Sequence, residues 1–136
     1  MWMTFVQAIL AGVYIAFGGT LSYSVGISPT LKASDPGLYK IVIGSFGLPF
    51  GLLIIVITGA SLFTSNTMYM PLGYYHGRTT LRAWAANWFL SYFGNLVGTL
   101  LIAGTIKAAG VFEGLEDQIV VRASDFVLPT TSVRSP

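Results

Sequence analysis

From Ile41 to Tyr75 the chain carries no charged residue. As one straight helix this stretch would measure roughly 50 Å, against a hydrocarbon core of about 30 Å. A single spanning helix does not fit. Residues 59–66, Gly-Ala-Ser-Leu-Phe-Thr-Ser-Asn, interrupt the run with small and hydroxyl-bearing side chains. They predict a break in the span between about 59 and 67. A broken helix at membrane depth survives only where protein or a water-filled path satisfies its freed backbone groups.

Composition sets the solvent. The 136 residues are 54% hydrophobic and only 9% charged, where soluble domains carry about 25% charged residues. The expectation is an all-α integral membrane protein in one small bundle. The net charge of +2, with no charge run, gives no sign of a nucleic-acid partner. There is no cysteine, so disulfides and thiolate metal sites are excluded.

Three apolar segments are placed at about 4–25, 41–75 (broken near 59–67) and 83–106, within a transmembrane domain of residues 1–112. The connection 26–39 holds Pro29, Lys32, Asp35, Pro36 and Gly37 and reads as a loop. Residues 113–136 regain charge and read as an extramembrane tail, partly disordered. The first segment lacks a basic leader and is too long for a signal-peptide core. Arg78 and Arg82 favour a cytoplasmic loop. Lys32, Lys40 and Lys107 fall at the opposite end, so charge alone does not fix orientation.

Polar residues within the apolar segments are few. Asn87, Ser91 and Asn95 recur at every fourth position and form one helical stripe. A side-chain amide facing lipid is costly, so the stripe should face a helix or a cavity. Interhelical hydrogen bonding is the simpler account, contact with a permeant the second. Gly94-Asn-Leu-Val-Gly98 and Gly47-Leu-Pro-Phe-Gly51 each allow close helix approach, and Pro49 predicts a kink. His76 lies in a basic loop, where a histidine is ordinarily just solvated. No carboxylate lies in the three segments, which argues against a redox enzyme or a carboxylate-coupled cation carrier. No catalytic residue, metal site or cofactor is expected. A neutral, donor-lined break suits a small monovalent anion, or its protonated acid, better than a metal cation.

Three stretches, in order, carry a resemblance to a known family. They are Ala11-Gly-Val-Tyr-Ile-Ala-Phe-Gly18, Gly59-Ala-Ser-Leu-Phe-Thr-Ser-Asn-Thr-Met68 and Asn87-Trp-Phe-Leu-Ser-Tyr-Phe-Gly-Asn-Leu-Val-Gly98. Over about residues 5–106 the chain resembles the formate/nitrite transporter family. The resemblance implies half of an aquaporin-like fold of six helices in two inverted repeats, assembled as pentamers with a pore in each protomer. It implies transport of nitrite or formate in the plasma membrane. By the same resemblance, Leu62, Phe63 and Thr64 match the loop at the break that contacts the anion, and Leu52 matches a constriction leucine. Leu48 falls where some members place a phenylalanine. Ser61 replaces an acidic residue, and Ala86 stands where some members carry lysine. The family's second half, with a histidine at the pore centre, is not recognised here, and His76 does not take that role. The expectation is a partial member, a truncated product or an incomplete gene model. The alternative is a non-conducting assembly fragment that packs with a full-length paralogue.

Overall fold

A computed structural model describes residues 1–113, 117 and 120. The tail expected at 113–136 therefore lies outside the described residues, apart from Glu113, Asp117 and Val120. Among the described residues the protein is all helical. In chain order the helices are α1 (Trp2–Gly26), α2 (Pro29–Ser34), α3 (Pro36–Ile41), a π-helical segment (Val42–Gly47), α4 (Leu48–Thr58), α5 (Phe63–Tyr75) and α6 (Leu81–Ala108). Three stretches are long and apolar enough to cross a membrane: Trp2–Gly26, Pro36–Thr58 and Leu81–Ala108. This is an all-α membrane protein.

The connection read as a loop is helical instead. Ser28 and Asp35 each precede a proline, and each side chain accepts a hydrogen bond from the N–H three residues on. Proline at the first helical position loses nothing, because its missing N–H has no intrahelical partner. The two Ser/Asp-Pro pairs thus start α2 and α3, and the second span begins at Pro36 rather than Ile41. The Tyr39 hydroxyl donates to the Gly26 carbonyl at 3.1 Å and ties this elbow to the end of α1.

Pro49 acts upstream of itself. It offers no N–H to the Ser45 carbonyl, and the turn before it widens into the π-helical segment. The Ser22 hydroxyl donates to the Ile43 carbonyl there, at 3.4 Å.

The second span ends at Gly59, which takes the left-handed conformation with φ 67°. The N–H groups of Gly59 and Ala60 both return to the Ile55 carbonyl. The helix restarts at Phe63, so the break is four residues long, at 59–62. Residues 63–67, expected in the break, form the first turns of α5. Nothing lies near a side chain added at Gly59, so the cost of replacing it is conformational. Gly59→Ala should lower stability by about 1 kcal/mol, checked by denaturant or thermal unfolding in detergent.

α1 is the central helix and packs against both other spans. The contacts are made by residues without side-chain bulk. A methyl added at Gly94 would stand 2.5 Å from the Ala8 Cβ, and one at Gly98 would collide with the Ile9 carbonyl oxygen. On the other side, methyls at Gly47 and Gly51 would stand 2.7 Å from the Ser22 Cβ and the Tyr14 carbonyl oxygen. Both Gly-x-x-x-Gly motifs are therefore seats for α1. The buried core is small: Ala8, Ala11, Tyr39, Ile55 and Leu62, with Ser91 fully enclosed. Most large apolar side chains face outward, as lipid permits.

Candidate functional site: the break and its asparagine clasp

Helix α6 is 28 residues long, and Asn95 stands at its middle, about 20 Å from either end. Its side chain reaches the break. The amide nitrogen donates to the Ala8 carbonyl of α1 at 2.8 Å and to the Ser61 carbonyl at 3.0 Å. The amide oxygen accepts the Phe63 N–H at 2.8 Å. One side chain thus holds α1, the broken segment and the start of α5 together. It also satisfies an N–H that the new helix cannot satisfy itself. The N–H of Ser61 adds a bond to the Gln7 carbonyl, at 3.3 Å.

A second chain of bonds braces the start of α5. The Asn66 amide donates to the Ser61 hydroxyl at 2.9 Å, and the Trp88 indole N–H donates to the Asn66 carbonyl at 3.1 Å. Phe63 is half-buried with edge-on contacts to Tyr92 and Trp88, at ring separations of 5.5 and 6.2 Å.

The geometry leaves a positive helix end against the middle of α6. In α5 the N–H groups of Thr64 and Ser65 have no carbonyl four residues earlier in their own helix, and no side chain of Leu62 caps them. They share the positive end of the helix dipole. The Thr64 side chain is exposed there, and no charged residue lies in the second span or in α5 beyond Lys40. Such an end can receive an anion.

The expected site residues divide. Leu62 and Phe63 lie at the break, Leu62 packed against Ala11 and Ile55 and 9% exposed. Leu52 and Leu48 lie on α4, about two and three turns before the break, and are 39% and 51% exposed. Leu48 borders an apolar groove of about 670 Å³ between α1 and α6. The polar stripe also divides. Asn95 bonds across helices. Ser91 is buried but returns its hydroxyl to the Asn87 and Trp88 carbonyls of its own helix. The Asn87 side-chain oxygen is buried without a partner among the described residues.

Sequence reasoning missed Asn66, Trp88 and Thr99. The Thr99 hydroxyl donates to the Asn95 carbonyl at 2.9 Å and to the Gly12 carbonyl at 3.4 Å. Its signal was available, since Thr99 continues the four-residue spacing of 87, 91 and 95. Asn66 and Trp88 meet only through the folding of α5 onto α6, which no spacing shows.

The family model described as formate/nitrite transporter matches residues 1–132, further along the chain than the three resembling stretches reach. The chain is 46% identical over 105 residues to a probable formate transporter of Methanothermobacter thermautotrophicus, covering 76% of this chain and 38% of that protein. It is 40% identical over 113 residues to the formate channel FocA of Escherichia coli K12, covering 80% and 37%. It is 36% identical over 99 residues to a formate-nitrite transporter of Entamoeba histolytica, covering 73% and 27%. The chain thus spans less than two-fifths of the length of these relatives. No solved structure matches it. With a broken second span and a family match over nearly its whole length, this chain belongs to the formate/nitrite transporter family.

Proposed function

We propose that this chain is a subunit of a channel or transporter for a small monovalent anion, formate or nitrite. The single observation that carries the reading is the α5 N-terminus seated against the middle of α6, bound there by Asn95 and without charged neighbours. Half-helix ends of this kind receive anions in membrane carriers. The printed names of the relatives from Methanothermobacter and Escherichia coli support formate. That of the Entamoeba relative supports formate and nitrite together.

In this reading residues 1–112 form the membrane domain. Leu48, Leu52, Leu62 and Phe63 wall the path, and Thr64 offers a hydroxyl beside the free N–H groups. Leu62, buried against Ala11 and Ile55, enters only as wall. Asn87, Ser91 and Asn95 serve packing rather than contact with the anion. The family resemblance supports a pentamer in the plasma membrane, with the aquaporin-like arrangement completed by a second half. The chain acts as a carrier and not as an enzyme.

A dry path needs all its walls. An anion leaving water loses hydration worth many kcal/mol unless donors surround it, and three helices around one break leave the side bearing Leu48 and Leu52 open. Liposomes holding only the purified 136-residue chain should therefore pass formate and nitrite no faster than empty vesicles. Co-reconstitution with the remaining segment of the Methanothermobacter relative should produce formate flux well above either part alone, altered by Phe63→Ala. No flux from the pair, or flux indifferent to Phe63, would overturn the transport reading and favour a non-conducting assembly fragment. Flux from the chain alone, sensitive to Phe63, would show that oligomers of this unit rebuild a pore.

A further inference from the structure

At Phe63, one face of α6 holds one residue of α5 in two different ways. Trp88, Tyr92 and Asn95 recur at i, i+4 and i+7, the spacing that lines one side of a helix. Asn95 takes the Phe63 N–H, at 2.8 Å. Tyr92 and Trp88 take its ring, edge-on, at 5.5 and 6.2 Å. The backbone and the side chain of Phe63 are thus fixed by different residues.

The two ring contacts are unequal. Tyr92 is 51% exposed, and its other aromatic neighbour is Phe93 of its own helix. Trp88 is half-buried and anchored at its tip. Its indole N–H donates at 3.1 Å to the carbonyl of Asn66, near the start of the helix that carries Phe63. The Asn66 side chain is itself tied to the break through the Ser61 hydroxyl, at 2.9 Å. Trp88 also stands edge-on to Trp84 at 5.3 Å, and Trp84 lies against Tyr74 of α5 at 5.7 Å. A hydrogen bond to the start of α5 and a row of rings reaching its far end therefore leave Trp88 one seat. A side chain stays within about 0.5 Å of a set geometry when the residues supporting it are themselves locked. Trp88 meets that condition on two sides, and Tyr92 does not.

We infer that Trp88 is the positioning residue of the Phe63 wall: it fixes that ring against α6, sets the width of the path, and so selects among monovalent anions by size. The size role rests on the proposed place of Phe63 in the path. Formate and nitrite are each one atom bearing two oxygens, with at most a hydrogen besides. Acetate has the same charge and the same two oxygens, and adds a methyl group. A ring that is held rejects the added methyl, and a ring free to turn makes room for it. A difference of one such carbon is worth about 10–200-fold in discrimination.

Two measurements separate positioning from transport. In the first, 4-fluorophenylalanine replaces Phe63 in the full 136-residue chain in detergent, which gives a single fluorine signal. In Trp88→Leu that signal should move towards its position in the denatured protein. It should also move in Trp88→Phe, which keeps a ring but loses the N–H. In Tyr92→Leu it should move less than in either. An unmoved signal in either Trp88 variant overturns the assignment, and so does a larger movement in Tyr92→Leu. If Trp88→Leu does not fold, the other two variants still decide. In the second, the chain is paired in liposomes with the remaining segment of the Methanothermobacter relative. There Trp88→Leu should raise the ratio of acetate to formate flux about tenfold, while formate still passes. A proportional loss of both anions would mark Trp88 as packing alone and overturn the size role. No formate flux from the unmodified pair overturns the transport reading and the size role with it, while the fluorine signal still decides the positioning.

Discussion

Replacing Asn95 by leucine is expected to lower the stability of this protein by about 2 kcal/mol. Three interhelical bonds leave with the amide, and bonds of this kind within membrane proteins are worth about 0.6 kcal/mol each on average. The figure rises if the Phe63 N–H and the Ser61 carbonyl stay buried, since an orphaned group costs about 1–3 kcal/mol. Leucine has the forked shape of asparagine, with bulkier ends, but has no donor for Ala8 or Ser61 and no acceptor for Phe63. The start of α5 would lose its tie to α6, and the break its tie to α1. The matched comparison is Ser91→Ala. Ser91 is more deeply buried than Asn95, yet its hydroxyl bonds only within α6, so that variant should lose well under 1 kcal/mol. Unfolding of both in detergent by a graded denaturant checks the pair. Equal losses would mean that burial, not bridging, is what α6 contributes at mid-depth. Transport by any complete assembly containing the chain should fall with Asn95→Leu.

The second large effect is expected at Gly98. A methyl group there would occupy the space of the Ile9 carbonyl oxygen, and one at Gly12 the space of the Asn95 carbonyl oxygen. Backbone cannot rotate aside as a side chain can, so α1 and α6 must separate. Overpacking of this kind costs about 1–3 kcal/mol, and separation would also stretch the Asn95 bond to Ala8. Gly98→Ala and Gly12→Ala should each show that loss. Gly104→Ala lies on the same helix with nothing near its added methyl, and alanine favours helix over glycine by up to about 1 kcal/mol. It should be neutral or stabilising. Thermal unfolding of the three variants tests the contrast, and a loss at Gly104 equal to that at Gly98 would remove the packing argument.

Much of this architecture was legible in the chain because the bilayer simplifies the problem. Low charge selects lipid as solvent, lipid forces the backbone into helices, and the excess length of the uncharged run after Lys40 forces an interruption. The break itself, the three spans and the inward face of Ser91 and Asn95 follow from local chemistry. The elbow at 28–41 was legible in principle, since Ser-Pro and Asp-Pro are helix starts, but proline weighed towards a loop. The break was narrower than expected because small polar residues such as Thr64 and Ser65 suit the first turn of a helix as well as a loop.

The solvent, the number of spans and the interruption of the second can therefore be read along the chain. Each depends on interactions between near neighbours and the lipid, which need no partner from elsewhere in the chain. Which member of the polar stripe does the bridging depends instead on how the helices pack. Asn87, Ser91 and Asn95 are equivalent by spacing, and all lie on one face of α6. Asn95 alone stands where the Gly12 and Gly98 contacts bring α1 within reach and where Gly59 ends the second span. That coincidence joins residues 87 positions apart, and a pattern read along one helix carries no information about which carbonyl of another will face it.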